Sequence, residues 1–416
     1  MTALFLAVVS ALTLSQEVGI AGDYTNQVYG IVDPDTFIDP DMWDTLDVET
    51  EVRSFWSFAL GAEKGGTRFA AGNDLNLSTR SIREALTLDF GQDIMSNLEL
   101  ELRNSTELCY YHHALPQLAD TGFQTDYWSN TSQLELDLDV TPTLTISASE
   151  QAQLFRYPQP DSYNCGYLLN RASAGLRQEL GGISSVTVDY DWSRRWASAA
   201  DDQDYVGHDL DVDLDWYCDN GPHLGLSNSV DRRRYASASR SYWKESPSLR
   251  LGVDVSPALE LILDEEARWT WYDSPTEVYS NLFENRLKLA AEWRATPEFS
   301  LRAGPQYDLG RGLPDITSDD YREISASAGF DYMKLDRLWF SVEDRLGRRR
   351  YPLADSSFQS DYVFNEFNLM LNWTILKTIG GGLCLNGMVS IAPEWHTDES
   401  SDLSTRIFTL ELRYGL

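Results

Sequence analysis

The stretch GHDLDVDLDWYCDNGPHLGLSN, residues 207–228, is the clearest indication of the fold, because charged and apolar residues alternate strictly over 209–216. Carboxylates occupy every second position: Asp209, Asp211, Asp213 and Asp215. Apolar side chains stand between them: Leu210, Val212, Leu214 and Trp216. Successive side chains of a β-strand point to opposite faces of the sheet, so this pattern predicts one acidic and one apolar face. The following CDNGPH is typical of a tight turn, after which a second strand begins.

The same period of two residues recurs along the chain from about residue 47. It is clearest in QLELDLDV (133–140), SPALELILDEEARWTWY (256–272) and FNEFNLMLNWT (364–374). Short connectors such as VTPTL (140–144), VSPAL (255–259) and ATPEF (295–299) join strands in pairs. Longer polar connectors separate one pair from the next, so the connectors alternate between short and long.

This rhythm predicts a transmembrane antiparallel up-and-down β-barrel of about 18 strands (16–18). A first strand is expected near 51–61, eight hairpins over 79–395 and a last strand at 404–416, while 51–83 is one strand and a loop or includes a short helix. In lipid every backbone polar group must be paired, so a membrane sheet has to close on itself. The alternative is a soluble sheet with one solvated face, which also alternates but has no reason to keep the connector rhythm.

Three regions are expected. Residues 1–15 read as a signal peptide, although Lys or Arg is missing at the start. Residues 16–46 form an acidic periplasmic segment that is a tail or a plug in the lumen, and residues 47–416 form the barrel.

Composition narrows the function classes. With 33 Lys+Arg against 65 Asp+Glu, the formal net charge is −32, which argues against a basic nucleic-acid-binding surface. The four cysteines have no zinc or haem spacing, and no cofactor or metal site is expected. Cys109 and Cys165 fall on the same side of the sheet and could be bridged, whereas a bridge between Cys218 and Cys384 is doubtful because their strands are far apart.

Aromatic residues collect where strands meet loops, and the last residues, RIFTLELRYGL (406–416), alternate in the same way. In these features residues 47–416 resemble the Gram-negative outer-membrane β-barrel or porin class, although that class usually ends in Phe rather than Leu416. The resemblance implies an outer-membrane location with periplasmic termini. It also implies contact with outer-membrane lipid and lipopolysaccharide, and recognition of the C-terminal strand by the barrel assembly machinery.

Arginine clusters recur at the ends of several strands: FRYP (155–158), SRRW (193–196), DRRRYA (231–236) and GRRRYP (347–352). We interpret them as loop-base residues that pair with loop carboxylates or with lipopolysaccharide phosphates. A basic ring at the mouth that contacts an anionic solute is the alternative.

The expected function is a porin-like channel for small solutes, with an acidic lumen that favours cations. The predicted pore-lining residues are Glu135, Asp137, Asp139, Asp209, Asp211, Asp213, Asp215, Glu260, Asp264, Glu266, Arg286, Lys288, Arg302, Glu323 and Asp331. Together with Arg294, three of these, Arg286, Lys288 and Arg302, predict a basic strip opposite the acidic strands.

Two alternatives remain open at this stage. One is a conduit or scaffold that docks an exported polysaccharide, an exported protein or a periplasmic electron-transfer partner. The other is an outer-membrane hydrolase that uses His112 and His113, but no nucleophile pattern accompanies them, so no catalytic residue is assigned.

Overall fold

The computed structural model describes the chain in fifteen ranges. They are 12–29, 47–78, 81–111, 126–158, 166–181, 183–197, 203–218, 221–236, 238–276, 279–313, 320–334, 337–352, 360–378, 381–397 and 403–415. No helix within these ranges is long and apolar enough to cross a membrane.

Twenty β-strands and one 3₁₀ turn, Ala238–Arg240, make up the structure over these ranges. The first ten strands are β1 Leu12–Tyr29, β2 Asp47–Lys64, β3 Thr67–Ser78, β4 Ser81–Met95, β5 Leu98–Tyr111, β6 Tyr127–Thr141, β7 Leu144–Arg156, β8 Tyr167–Gly181, β9 Ser184–Ala197 and β10 Tyr205–Tyr217. The second ten are β11 His223–Tyr235, β12 Tyr242–Ser256, β13 Leu259–Tyr272, β14 Asn281–Thr296, β15 Phe299–Leu313, β16 Tyr321–Lys334, β17 Leu338–Arg350, β18 Tyr362–Thr378, β19 Gly381–His396 and β20 Leu403–Gly415.

All the strands belong to one antiparallel up-and-down sheet. Each strand pairs with its predecessor and its successor in sequence, and β1 also pairs with β20, from Glu17 opposite Gly415 to Tyr29 opposite Leu403. The order of pairings is therefore cyclic, and every strand has two hydrogen-bonded neighbours. The predicted up-and-down barrel architecture is confirmed.

The connectors sort to the two ends of the sheet. Strands β2 to β19 are joined at one end by connectors of two to five residues, and we call this the short-turn end. At the other end, the long-loop end, the connectors have six to seventeen residues, except between β3 and β4, where only 79–80 intervene. Strand β1 starts and β20 finishes at the short-turn end.

The strand count is twenty rather than about eighteen, and the two additional strands are β1 and β3. Residues 65–66 form a tight turn before β3, with Gly65 and Gly66 at φ of 60° and 77°. The connector between β3 and β4 has only two residues, which interrupts the expected alternation of short and long connectors. Strand β1 covers 12–29, which overlaps the expected signal peptide and periplasmic segment. Residues 1–11 and 30–46, where the rest of those two predictions falls, lie outside the described residues.

The two faces of the sheet differ in burial. On β16 the carboxylate of Glu323 is 1% exposed, whereas the neighbouring Ile324, on the other face, is 67% exposed. Other buried side chains on the face of Glu323 include Glu292, Asp308, Tyr362 and Phe364. Side chains converge inside a closed sheet and diverge outside it, so we call the face of Glu323 the inward face and the face of Ile324 the outward face.

Candidate channel lumen

The strand register places all fifteen predicted pore-lining residues on the inward face. Direct cross-strand partners share a face, and the pairings run from Glu323 through Asp308, Arg286 and Glu266 to Ser248. They continue through Ser227 to Asp213, and from there by the same rule to Asp137. The register thus groups these residues on one wall-forming surface; a role in conduction stays a prediction.

Strands β6, β9 and β10 carry most of the inward carboxylates, and we call their inward positions the acidic wall. These positions hold nine carboxylates and one arginine, Arg195, while β7 and β8, which stand between β6 and β9, add Glu179, Arg171 and Arg177 to the same face. The carboxylates are Glu135, Asp137, Asp139, Asp189, Asp191, Asp209, Asp211, Asp213 and Asp215. Asp189 and Asp191 were not among the predicted residues, although they occupy alternate positions in VTVDYDW (186–192).

Several of these carboxylates stand directly opposite one another on neighbouring strands. Asp189 is opposite Asp211, and Asp209 lies between Asp191 on β9 and Asp231 on β11. Like charges at directly opposed positions destabilise a sheet unless water and counterions screen them. The opposed carboxylates therefore need water or counterions around them, which accords with a water-filled lumen.

Strands β13 to β18 form a paired wall instead, where arginines and carboxylates neutralise one another. Arg286 Nε lies 2.9 Å from Asp308 Oδ1, and Glu292 is bonded by Arg294 at 3.0 Å and by Arg302 at 2.7 Å. The expected basic strip is thus ion-paired at Arg286, Arg294 and Arg302. Lys288 stands between Asp264 and Gln306 in the register.

The buried centre of the paired wall is Glu323. It is bonded by Arg345 and by Arg349, whose Nη2 lies 2.7 Å from Glu323 Oε2. Arg345 also reaches Asp308 at 3.3 Å and Glu366 at 3.1 Å. The guanidinium of Arg349 stacks over the ring of Tyr321 at 4.4 Å, which fixes its position. This network lies near the long-loop end and lines one side of the lumen there.

The arginine clusters at the strand ends are divided between the two faces. Arg345 and Arg349 point inward, whereas Arg348 points outward and lies 3.5 Å from Asp361. Outward-facing Arg232 donates two hydrogen bonds to the loop residue Asp273, at 2.8 and 2.7 Å, and these hold the pKa of Asp273 below its usual range. Pairing with loop carboxylates is thus observed at two clusters.

Histidines and cysteines were the candidates for chemistry. His396 is bracketed by Ser360, whose Oγ is 2.8 Å from Nδ1, and by Glu394, whose Oε2 is 3.3 Å from Nε2. His112, His113 and Cys165 lie outside the described residues. Cys109, Cys218 and Cys384 are free thiols, and Cys109 is fully buried. Within the described ranges no three His, Cys, Asp or Glu side chains are arranged to hold a metal ion.

No protein-family model matches the chain, and no curated protein sequence matches it either. Solved structures do match. The ferric enterobactin receptor PfeA from Pseudomonas aeruginosa has 8% identity and a TM-score of 0.63, over 97% of this chain and 81% of that one. The chain has the fold of a Gram-negative outer-membrane β-barrel.

Two further structures show the same fold. The FrpB iron transporter from Neisseria meningitidis has 9% identity and a TM-score of 0.60, over 100% of this chain and 83% of that one. The Acinetobacter baumannii protein OccAB4 has 11% identity and a TM-score of 0.52, over 97% of this chain and 98% of that one.

The number of strands sets the width of the lumen. Twenty strands spaced by ~4.8 Å and tilted by ~40° give a round barrel with opposite walls about 40 Å apart. Barrels of 16 to 18 strands hold an aqueous channel, and 22-stranded transporters hold a plug. This barrel lies between the two classes in width.

Proposed function

We propose that the protein is an outer-membrane channel whose acidic wall favours small cationic solutes. The observation that carries the proposal is the nine inward carboxylates of β6, β9 and β10, with opposed pairs such as Asp189 and Asp211. A charged wall in a water-filled lumen concentrates counterions and raises their rate of entry. Under the same proposal the short-turn end and both termini face the periplasm.

The test is single-channel current in a planar bilayer under a salt gradient. Replacing Asp209, Asp211, Asp213 and Asp215 by Asn should lower the ratio of potassium to chloride permeability by about twofold or more, because the local potential falls. A matched control neutralises four outward carboxylates, Glu84→Gln, Glu245→Gln, Glu265→Gln and Asp344→Asn, and should leave this ratio unchanged.

Two results would contradict the proposal. If both quadruple variants keep the cation preference of the unmodified protein, the acidic wall does not set selectivity. If the unmodified barrel is folded and inserted but carries no current, the lumen is filled, and the conduit or scaffold alternative takes its place.

The arrangement around His396 favours a second candidate function, an esterase at the long-loop mouth. With its hydrogen on Nε2, the imidazole donates to Glu394 and accepts the Ser360 hydroxyl at Nδ1, which is the order of a serine–histidine–carboxylate triad. Ser360 would attack an ester carbonyl while Nδ1 takes the proton of its hydroxyl and then gives that proton to the leaving alcohol. A water molecule would then hydrolyse the acyl-serine, which releases the acid and restores the Ser360 hydroxyl.

Hydrolysis of a p-nitrophenyl ester by the purified barrel tests this second candidate. Ser360→Ala should abolish release of p-nitrophenol, while Ser404→Ala, on the outward face of β20, should not alter it. Equal rates for the unmodified protein and Ser360→Ala would rule out Ser360 as a nucleophile.

A further inference from the structure

Two half-buried inward arginines near the long-loop end lack the carboxylate partners that arginines of the paired wall have. Within the described residues Arg171 on β8 makes no hydrogen bond or ion pair, and its Nε atom is buried. Arg195 on β9 donates from Nη2 to Gln203 at 3.1 Å, but its Nε atom is also buried without a partner among the described residues. A partly buried cation without a counter-charge is unfavourable, so both guanidinium groups would gain from an anion.

The strand register brings the two arginines together. Arg171 is directly opposite Ser193, and Arg195 is two residues further along β9 toward the long-loop end. Diagonal neighbours of this kind are ~7–8 Å apart, which is within reach of long side chains. One carboxylate can therefore accept hydrogen bonds from both guanidinium groups.

A row of stacked rings holds Arg195 in place. Its guanidinium carbon lies 4.4 Å from the ring centre of Tyr167, which stacks on Phe155 with ring centres 5.4 Å apart. Phe155 also stacks on Tyr127 at 4.9 Å, and the Tyr127 hydroxyl donates to Glu107 at 2.7 Å. Stacking occupies the face of a guanidinium and leaves the N–H groups at its edge available to an anion. Arg195 is thus ordered before a ligand arrives, which lowers the cost of binding.

Two opposed carboxylates lie one level below the arginines. Asp191 is two residues nearer the short-turn end than Ser193 and is directly opposite Asp209 on β10. The Ser173 hydroxyl donates to Asp191, while Arg171, a diagonal neighbour, forms no ion pair with it. An ammonium group has three N–H donors and can bond both carboxylates. Since two residues of a strand span ~7 Å, an anion site and a cation site lie about that far apart along the wall.

We infer that this part of the inward face binds a dipeptide, whose carboxylate is bound by Arg171 and Arg195 and whose ammonium group is bound by the two opposed aspartates. A peptide spans ~3.5 Å per residue, so the termini of a dipeptide are ~7 Å apart and match the two levels. A solute with a single charge satisfies only one of the two pairs. The inference names a solute class for the channel proposed above, and it rests on that proposal for the placement of this face in a water-filled lumen.

Isothermal titration calorimetry of the purified barrel in detergent with alanyl-alanine tests the inference without requiring a current. N-acetyl-alanyl-alanine lacks the ammonium group and alanyl-alanine amide lacks the carboxylate, so each should bind about tenfold more weakly than the free dipeptide. Replacing Arg171 and Arg195 together by Gln should lower the affinity for alanyl-alanine about tenfold. The same double variant should keep the affinity for the amide, since that ligand has no carboxylate to lose a partner.

Arg177→Gln is the matched control. Arg177 is inward on β8 and also forms no ion pair within the described residues, so its replacement removes the same kind of charge. It lies four residues beyond Ser173, the residue directly opposite Asp191, and four residues span ~13 Å. A dipeptide held at Asp191 does not reach it, so the affinity for alanyl-alanine should not change.

Equal affinity of the unmodified protein for alanyl-alanine and for either blocked derivative would overturn the inference, whether or not the variants fold. So would the absence of binding, or equal losses of affinity in Arg177→Gln and in the double variant. Single-channel current is measured separately on the same preparation. A barrel that conducts but does not bind the dipeptide contradicts only this inference, whereas a silent barrel that binds it contradicts only the channel.

Discussion

At the scale of single residues, the buried carboxylate of Glu323 shows how the paired wall is held. Two arginines, Arg345 and Arg349, converge on a side chain that is 1% exposed. Removing one member of a buried ion-pair network leaves the others uncompensated. The paired wall should therefore depend on this one residue more than on any exposed ion pair.

We expect Glu323→Gln to destabilise the barrel by about 3 kcal/mol, because two guanidinium groups lose their shared counter-charge. The measurement is the urea midpoint of tryptophan fluorescence in lipid vesicles. Asp331→Asn, on the inward face of the same strand, is the control and should cost less than about 1 kcal/mol. Similar midpoints for the two variants would show that the network adds no stability.

For a single residue, the sequence predicts which face of the sheet the side chain lies on, but not which side chains it contacts. Alternation assigned Glu323 to the inward side, since this needs only the period of its own strand. Its partners Arg345 and Arg349 are 22 and 26 residues away, and which cross-strand residues meet depends on the register. The Ser360–His396–Glu394 arrangement was missed for the same reason, with Ser360 and His396 36 residues apart.

At the scale of elements, the backbones of β14 and β15 approach each other closely at the middle of β15. Pro305 has no backbone N–H to donate, and the regular pairing of β14 with β15 is interrupted between Lys288 and Ala291. A Cβ on Gly304 would collide with the carbonyl oxygen of Leu289. This position therefore needs glycine so that the two backbones can approach each other.

Gly304→Ala should shift β15 away from β14 and lower the yield of folded barrel several-fold, measured as the heat-sensitive compact band on a gel. Gly225→Ala is a matched control, because a Cβ there meets only ordinary contacts at 3.6 Å. An unchanged yield for Gly304→Ala would mean that the backbone relaxes without loss of pairing.

The elements missed from the sequence have a shared cause. Strand β3 follows a tight glycine turn and leads into a two-residue connector at the end where the other connectors are long. Strand β1 begins inside the apolar run of the N-terminus, which resembles a signal peptide, although Leu12, Leu14, Val18 and Ile20 alternate with polar or small residues. In both places a stronger local pattern concealed the period of two.

At the scale of the whole molecule, the alternation of short and long connectors was enough to predict the architecture. Each hairpin of an up-and-down barrel is local in sequence, so eighteen of the twenty strands were predicted from the pattern alone. The balance of charge around the lumen needed the register as well. The same arginines that suggested a basic strip are neutralised by Asp308 and Glu292.

The seam between β1 and β20 determines when the barrel can close during folding in the cell. It joins residues about 400 positions apart, so it cannot form before the final strand has been synthesised. Until then two strand edges, at opposite ends of the growing sheet, expose rows of unpaired N–H and C=O groups that would template aggregation. The two unpaired edge strands therefore have to be kept from pairing with other protein chains until β1 and β20 pair with each other.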